Sequence, residues 1–241
     1  MLETPFTLSR GYKLVDLKPA YGELFQDYLK EFDYWGYTDL DVIYGDLARF
    51  FSPETLSSYD ILSPSDRLQV GHLTLLRNTP HICRLYRQCP DFLEILCRET
   101  HAGFDEKGFH QLVMHLAEQR QLRVFMQDMK AEDIILRLSG RQRFLIVWYK
   151  GRLYDFTAFR QICHFHFMES KWKSNFRFHD VRATDELFTF TPFSLDAVRT
   201  RSAKLRLLHT ATVSTVLSVP WYSRKAAKLI VSTLRQLIAF R

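Results

Sequence analysis

Strand-like and helix-like segments alternate along most of this chain, and this alternation limits the possible folds more than any other feature. Runs rich in aromatic and β-branched residues, bounded by turn residues, predict strands at 34–38, 71–78, 121–126 and 161–168, and a hairpin in 143–156 that turns at Lys150-Gly151. Apolar residues at helical spacing predict helices at 19–32, at 79–89, after an N-cap at Ser52, and from Asp105 onward. The mixture predicts an α/β fold.

The chain is large enough to bury a core, since 46% of its 241 residues are hydrophobic. We expect one domain with an appendage, divided as a domain of residues 1–178 and a C-terminal extension of residues 179–241. The extension is distinguished by its charge, because no acidic residue follows Asp196. It contains a stretch at 223–240 whose apolar residues share one helical face, which predicts a basic amphipathic helix.

The net charge of +6 favours anionic partners. Two interpretations of the basic helix stay open: it docks on the domain with its charged side in water, or it lies on an anionic membrane surface. We expect no nucleic-acid partner. The N-terminus lacks the pattern of a signal peptide, no stretch reaches the roughly 18 apolar residues of a membrane span, and the four cysteines form no CxxC pair. We therefore expect a cytoplasmic protein with reduced thiols, or one held peripherally at the inner membrane face.

Asp39 and Asp41 end the first predicted strand, in the stretch YWGYTDLDVIYGDL. Carboxylates two residues apart on an extended segment point the same way. Such a pair of oxygen ligands suits a hard divalent cation. The competing interpretation is that the two acids cap a loop.

The ordered motifs around this pair resemble those of a family of bacterial glycosyltransferases linked to capsule and O-antigen synthesis, which are similar to GT-A enzymes. The resemblance runs from Tyr12 to Lys171 and rests on KPAYG, WGYTDLDVIYGD, GHLTLLRN, FDEKG and HFHFMESK in that order. It implies a GT-A-like, Rossmann-like mixed sheet with flanking helices. In that family an N-terminal nucleotide-binding segment precedes these motifs, so the resemblance implies that this chain is N-terminally truncated and its donor site incomplete.

The resemblance also implies a role for individual residues near the donor. Asp39 and Asp41 would be the DxD pair that binds Mn²⁺ or Mg²⁺ against the diphosphate of a nucleotide sugar, with His166 as the third ligand. Lys171 would bind the diphosphate, and Gly71, His72 and Asn78 would lie near the donor sugar. The alternative for His164 and His166 is that they are strand residues without a metal.

Asp105 and Glu106 are the candidate catalytic acids. They stand at a predicted helix start, where the helix dipole favours an ionised carboxylate. The resemblance implies acceptor binding, or a general base if the reaction inverts configuration. The alternative is that they are ordinary acidic residues of a helix N-terminus.

The function implied by these motifs is metal-dependent transfer of a sugar from a nucleotide sugar to a glycan or lipid-linked glycan acceptor in surface polysaccharide synthesis. The alternative is an inactive remnant, or a non-catalytic module that binds a membrane or a protein partner.

Overall fold

The structure is a computed structural model that describes residues 11–67, 69–134, 144–179, 181–182, 184–200, 203 and 207. It is a mixed α/β structure in two compact units. The first unit consists of Met1–Leu40 and Phe51–Asp128, and the second of Asp41–Phe50 and Met129–Arg241. The α/β class expected from the sequence is confirmed.

The strands are β1 (Tyr34–Thr38), β2 (Val42–Tyr44), β3 (Ile61–Ser63), β4 (Leu73–Arg77), β5 (Val124–Met126), β6 (Lys130–Glu132), β7 (Ile146–Tyr149), β8 (Arg152–Asp155), β9 (Arg160–Ile162), β10 (His164–His166), β11 (Arg177–His179), β12 (Leu187–Phe190) and β13 (Ser194–Ala197). The α-helices are α1 (Tyr21–Leu24), α2 (Gln26–Leu29), α3 (Leu47–Phe50), α4 (Pro53–Ser58), α5 (Pro80–Cys83), α6 (Phe92–Cys97) and α7 (His110–Glu118). Further turns are 3-10 helices at Gly11–Ala20, Leu85–Gln88 and Ser170–Trp172, and a π-helix at Asp105–Phe109.

The first unit is built on a four-stranded sheet in the order β1-β4-β3-β5. The β3–β5 pair is parallel, and the other two pairs are antiparallel. Trp35 and Tyr37 point into the core from β1 while Gly36 and Thr38 are exposed, as the period of two in a strand requires. The predicted strand at 34–38 is confirmed with the same bounds.

The predicted helix at 19–32 was wrong in its extent. A 3-10 helix covers Gly11–Ala20, and two short helices follow it, separated at Phe25. The apolar side chains that suggested one buried stripe remain largely exposed, among them Phe25, Tyr28 and Phe32. Gly22 makes a close contact with the sheet, because a Cβ added there would lie 2.4 Å from the Trp35 ring, and Tyr21 and Leu29 pack against the same core.

A buried ion pair anchors the first 3-10 helix to the loop before the π-helix. Lys13 donates to Asp16 at 2.8 Å, and Asp16 accepts from the backbone N–H groups of Ala102 and Phe104 at 3.0 Å each. Burial alone would raise the pKa of Asp16, but the bonds from Lys13 and these amides lower it below its ordinary value. This network fixes the segment that leads into Asp105.

The second unit contains two sheets. One has three strands in the order β2-β10-β6, and the other has six in the order β11-β13-β12-β7-β8-β9. The predicted hairpin is confirmed as β7 and β8, with positive φ angles of 45° at Lys150 and 82° at Gly151, as a two-residue turn of this kind requires.

The single strand predicted at 161–168 was wrong, because the chain changes sheets at Cys163. The strand β9 pairs with β8, whereas β10 pairs with β2 and β6. At the change, the Cys163 N–H donates to Met129 O and the Cys163 carbonyl accepts from Gly45 N. Both backbone groups of Cys163 are therefore bonded toward the three-stranded sheet.

The C-terminal segment is described only in part. Strands β12 and β13 lie within the predicted extension 179–241, and β12 pairs antiparallel with β7. The predicted amphipathic helix at 223–240 lies outside the described residues. No helix in the described ranges is long and apolar enough to cross a membrane.

Candidate functional site

Asp41 and His166 are neighbours in the second unit. Their proximity follows from the antiparallel pairing of β2 with β10, which continues one step further because the Phe167 N–H donates to the Asp41 carbonyl at 3.1 Å. Nε2 of His166 lies 3.3 Å from Oδ1 of Asp41. The imidazole is buried, with 5% of the residue exposed.

Lys171 also contacts Asp41, although the two are 130 residues apart in the sequence. Its ammonium group donates to Oδ2 of Asp41, whereas His166 lies close to the other carboxylate oxygen, Oδ1. Lys171 lies in the 3-10 helix Ser170–Trp172, which is held by Asp133: its buried carboxylate accepts from the backbone N–H groups of Glu169 and Ser170. Sequence analysis missed Asp133, because a single Asp carries no signal of a partner 36 residues away.

The charge state of Asp41 follows from these contacts. Burial would raise the pKa of its carboxyl, but the hydrogen bond from Lys171 and the charge of His166 lower that pKa below the ordinary value. Asp41 is therefore ionised near neutral pH. A partly buried carboxylate beside a buried imidazole is a donor pair suited to Mn²⁺, for which oxygen and imidazole are common ligands.

Glu132 lies on the other side of His166. It is the register partner of His166 in the parallel pair of β6 and β10, and one of its carboxylate oxygens lies within 4.8 Å of a ring nitrogen of His166. Glu132 forms an ion pair with Lys130, two residues earlier on the same strand. Sequence analysis did not select either residue.

Asp39 belongs to the first unit, where its partner is Lys18. The Lys18 ammonium group donates to Asp39 Oδ1 and, at 2.8 Å, to the carbonyl of Gly71; it also lies 4.0 Å from Asp105 Oδ2. Only 4% of the Lys18 side chain is exposed. Sequence analysis missed Lys18, although its position before Pro19 in the KPAYG motif was a usable signal.

Asp105 is the most strongly perturbed acid of this group. Its pKa is raised to about 7, because burial raises it most, the Lys18 charge lowers it and the Glu106 charge raises it. At this helix start the largest effect on the pKa of Asp105 is burial, which disfavours the ionised form. Its Oδ2 atom has no hydrogen-bond partner within the described part of the chain.

Gly71 lies between these acids, and its lack of a side chain matters. A Cβ at this position would lie 2.6 Å from Asp105 Oδ2. Glu106 accepts a hydrogen bond of 2.9 Å from the Gly71 N–H through Oε1, and Nδ1 of His110 accepts one of 3.3 Å from the N–H of Gln69. The segment 69–71 is thus attached at two points, one turn apart, to the helix that carries Asp105.

The other residues predicted near the donor sugar are placed as follows. His72 is buried in the first unit, and its carbonyl accepts from the Thr38 hydroxyl at 3.0 Å. Asn78 donates both side-chain N–H groups to backbone carbonyls, those of Leu29 and Phe32, at 2.7 Å each. Its amide donors are therefore used in holding the chain before β1.

Taken unit by unit, the fold and these side chains define an α/β protein. In the second unit the partly buried Asp41 contacts the buried His166 and the partly exposed Lys171, and in the first unit the buried Lys18 lies near the carboxylates of Asp39 and Asp105. The chain belongs to DUF6625, a family of unknown function, whose model matches residues 1–197. No curated protein and no solved structure matches the chain significantly.

Proposed function

We propose that the protein is a metal-dependent glycosyltransferase that moves a sugar from a nucleotide sugar to a glycan or lipid-linked glycan acceptor in surface polysaccharide synthesis. The observation that carries the proposal is the contact of Asp41 with both His166 and Lys171. The resemblance of the sequence motifs to those of glycosyltransferases would place these three residues in one donor-binding site. We further propose that the sheets belong to a GT-A-like arrangement and that the protein acts in the cytoplasm, at the inner membrane face.

Asp39, Asp41 and His166 would hold Mn²⁺ or Mg²⁺. The donor set fits such an ion, because Asp41 is an ionised carboxylate beside a buried imidazole. Asp39 is included as a ligand because it forms the DxD motif with Asp41, two residues later. When bound, the ion supplies positive charge for the nucleoside diphosphate that leaves during transfer.

Lys171 would bind the diphosphate of the donor. Its side chain is 29% exposed, so it is open to a ligand from solvent, and Asp133 fixes the turn on which it lies. A lysine acts on a phosphate as a compact point charge. Lys171 would exchange its bond to Asp41 for one to a phosphate oxygen once the donor is present.

Asp105 would be the general base for the attacking hydroxyl of the acceptor if the reaction inverts configuration. A base works best when its pKa lies near the operating pH, and the pKa of Asp105 is raised to about 7. Glu106 is better suited to positioning than to proton transfer, because its Oε1 atom already accepts from the Gly71 N–H. Within this proposal Gly71 and His72 would lie near the sugar, and Asn78 would have a structural role.

The test is turnover of a panel of nucleotide sugars, with UDP, GDP and CMP donors, in the presence of Mn²⁺. Hydrolysis of a donor by the wild-type chain is expected, together with a loss of at least about 100-fold in Asp41→Ala, as for removal of a group that stabilises developing charge. Asp27→Ala is the matched control, since Asp27 is 76% exposed and forms an ion pair with Lys30, three residues later. No turnover with any donor, or equal turnover in wild type and Asp41→Ala, would overturn the mechanism.

The same assay distinguishes an enzyme from a non-catalytic module. A remnant would release no sugar from any donor, whether or not it binds a nucleoside diphosphate and Mn²⁺.

Binding to an anionic membrane surface remains a prediction from the basic C-terminal stretch. Binding of the full chain to vesicles with and without anionic lipid tests it.

A further inference from the structure

The large apolar side chains that stay exposed in the second unit are concentrated in one stretch, 172–193, which contains β11 and leads into β13. Among the described residues of this unit they are Trp172, Phe178, Val181 and Phe193, which are 79%, 61%, 37% and 56% exposed. Single apolar residues on a surface are ordinary, whereas a group of them indicates a surface that binds something.

The pairing of β11 with β13 brings these groups to one edge of the six-stranded sheet. The two strands are parallel, so both begin at the same edge. The Arg177 N–H donates to the Phe193 carbonyl at 2.8 Å, and the Phe176 N–H donates to the Lys173 carbonyl at 3.0 Å. The Phe176 and Phe178 rings meet edge to face, with their centroids 5.0 Å apart. We call residues 172–178 with Phe193 the β11–β13 edge.

The charge of the β11–β13 edge is positive. The stretch 170–178 contains three basic residues and no acid. Two of them, Lys173 and Arg177, form no ion pair within the described part of the chain. The acid on the adjacent strand, Asp196, is paired with His179 at 3.4 Å. Cations without an anionic partner therefore stand beside exposed aromatic rings.

An anionic lipid bilayer complements both features. Aromatic rings favour the boundary between headgroups and acyl chains, and basic side chains are attracted to anionic headgroups. The first unit offers a contrast, since Tyr28 is 81% exposed there but lies in a stretch, 23–33, with four acids and one basic residue. An anionic surface would repel that stretch, so the charge distinguishes the two aromatic surfaces.

We propose that the β11–β13 edge docks on an anionic lipid bilayer. The rings of Trp172, Phe178 and Phe193 would enter the headgroup region, and Lys173 and Arg177 would contact lipid phosphates. This inference goes beyond the proposed function, because it requires no sugar transfer. It assigns membrane contact to the folded second unit in addition to the basic C-terminal stretch.

Trp172 connects the β11–β13 edge to the candidate site. The Lys171 ammonium group, which contacts Asp41, lies 5.3 Å from the centroid of the Trp172 ring. Contact of Trp172 with a bilayer would bring this group close to a lipid-linked acceptor. That consequence rests on the proposed function, whereas the membrane contact itself does not.

The first test measures insertion of Trp172 in the full chain. Among the described tryptophans, Trp172 is exposed, Trp35 is buried and Trp148 stacks on a phenylalanine ring; Trp221→Phe removes the tryptophan of the C-terminal stretch. With phosphatidylglycerol vesicles, the emission is expected to shift to shorter wavelength and to be quenched by brominated acyl chains. Neither change is expected with phosphatidylcholine alone, and adding Trp172→Phe should abolish both.

The second test measures affinity by sedimentation with phosphatidylglycerol vesicles. Phe178→Ser combined with Phe193→Ser is expected to weaken binding by at least about 10-fold, because two rings no longer leave water. Lys173→Gln combined with Arg177→Gln should weaken it by at least about 10-fold at low salt and by less at high salt. Tyr28→Ser is the matched control and should bind like the wild type.

Each outcome supports or overturns the inference. Vesicle binding without quenching of Trp172 would overturn it, because the C-terminal stretch would then bind alone. Equal insertion into neutral vesicles, or unchanged affinity in the charge variant, would overturn it as well; the charge variant keeps the test available if Phe178→Ser fails to fold, which circular dichroism reveals. Donor hydrolysis in solution should be equal in the wild type and the charge variant, so a failure of this inference leaves the transferase proposal standing, and the reverse.

Discussion

Nε2 of His166 lies 3.3 Å from Oδ1 of Asp41, and one β-pairing, that of β10 with β2, is responsible. The two residues come from distant parts of the sequence. Their contact makes His166 a partner of the acid motif in the three-dimensional structure as well as in the sequence pattern. It also makes His166 the most direct position at which to test the metal site.

His166→Ala is expected to weaken Mn²⁺ binding by more than about 10-fold, because it removes an imidazole ligand and not just an outer partner. Titration calorimetry with Mn²⁺ measures the change. His179→Ala is the control, since His179 is 53% exposed in the same unit. Equal Mn²⁺ affinity in the two variants would contradict a role for His166 in metal binding.

Lys171→Ala is expected to raise the KM for the nucleotide-sugar donor by roughly 10-fold to 100-fold, the equivalent of one charge-assisted hydrogen bond to phosphate. The kcat should fall less, if Lys171 contacts the diphosphate equally in the ground state and the transition state. Steady-state kinetics over a range of donor concentrations separates the two constants. Lys150→Ala, at a half-exposed position in the same unit, should leave both unchanged, and a KM that does not rise in Lys171→Ala would count against the phosphate contact.

Ionisation of Asp105 should affect the reaction rate and the stability of the protein in opposite directions as the pH rises. Its folded pKa, raised to about 7, exceeds the ordinary 3.8, so the folded protein holds the proton more tightly than the unfolded chain. The contribution of Asp105 to stability is therefore largest below the ordinary pKa and is lost as the pH rises through about 7. A general base needs the ionised form, so the rate should rise over the same interval.

Asp105→Asn tests both parts of this prediction. It should lower kcat by about 100-fold or more, as for loss of a general base. It should also raise the melting temperature relative to wild type more at pH 8 than at pH 5, since only the wild type has a buried acid to ionise. Thermal unfolding at the two pH values gives the comparison. A melting temperature that drops equally at both values would point to a purely structural carboxyl.

Asp16→Asn is expected to lower the free energy of unfolding by about 3 kcal/mol, because it leaves the Lys13 ammonium group buried without its anion. The pKa of Asp16 is lowered in the folded protein, so its stabilising effect is present above its ordinary pKa and is lost as the pH falls through the folded value. Denaturant unfolding at pH 7 measures the difference. Asp27→Asn, at an exposed position, should change the free energy of unfolding by less than about 0.5 kcal/mol.

The local parts of the fold could be predicted from the sequence. The strand Tyr34–Thr38, the Ser52 N-cap and the Lys150-Gly151 turn each depend on a few adjacent residues, and all three are confirmed. The helix at 19–32 was wrong in its extent, because apolar spacing did not reveal the 3-10 helix up to Ala20 or the break at Phe25.

In the candidate site, too, residues in local sequence motifs could be predicted and long-range contacts could not. Asp41, His166 and Lys171 could be chosen because they belong to ordered motifs. The supporting residues Glu132 and Asp133 could not be recognised, since their contacts arise from strand pairing and loop packing between distant segments. The raised pKa of Asp105 could not be predicted from the sequence either, because its main cause is burial in the folded protein.

The second unit takes its strand β2 from an early part of the chain, although its other strands all follow Met129. During synthesis the ribosome must therefore translate more than a hundred further residues before β2 can meet its partner β10. Pairings of such long range form slowly, and domains made earlier fold first. The contact between Asp41 and His166 is thus among the last to be established on a nascent chain, so acquisition of Mn²⁺ affinity would serve as a marker of completed folding.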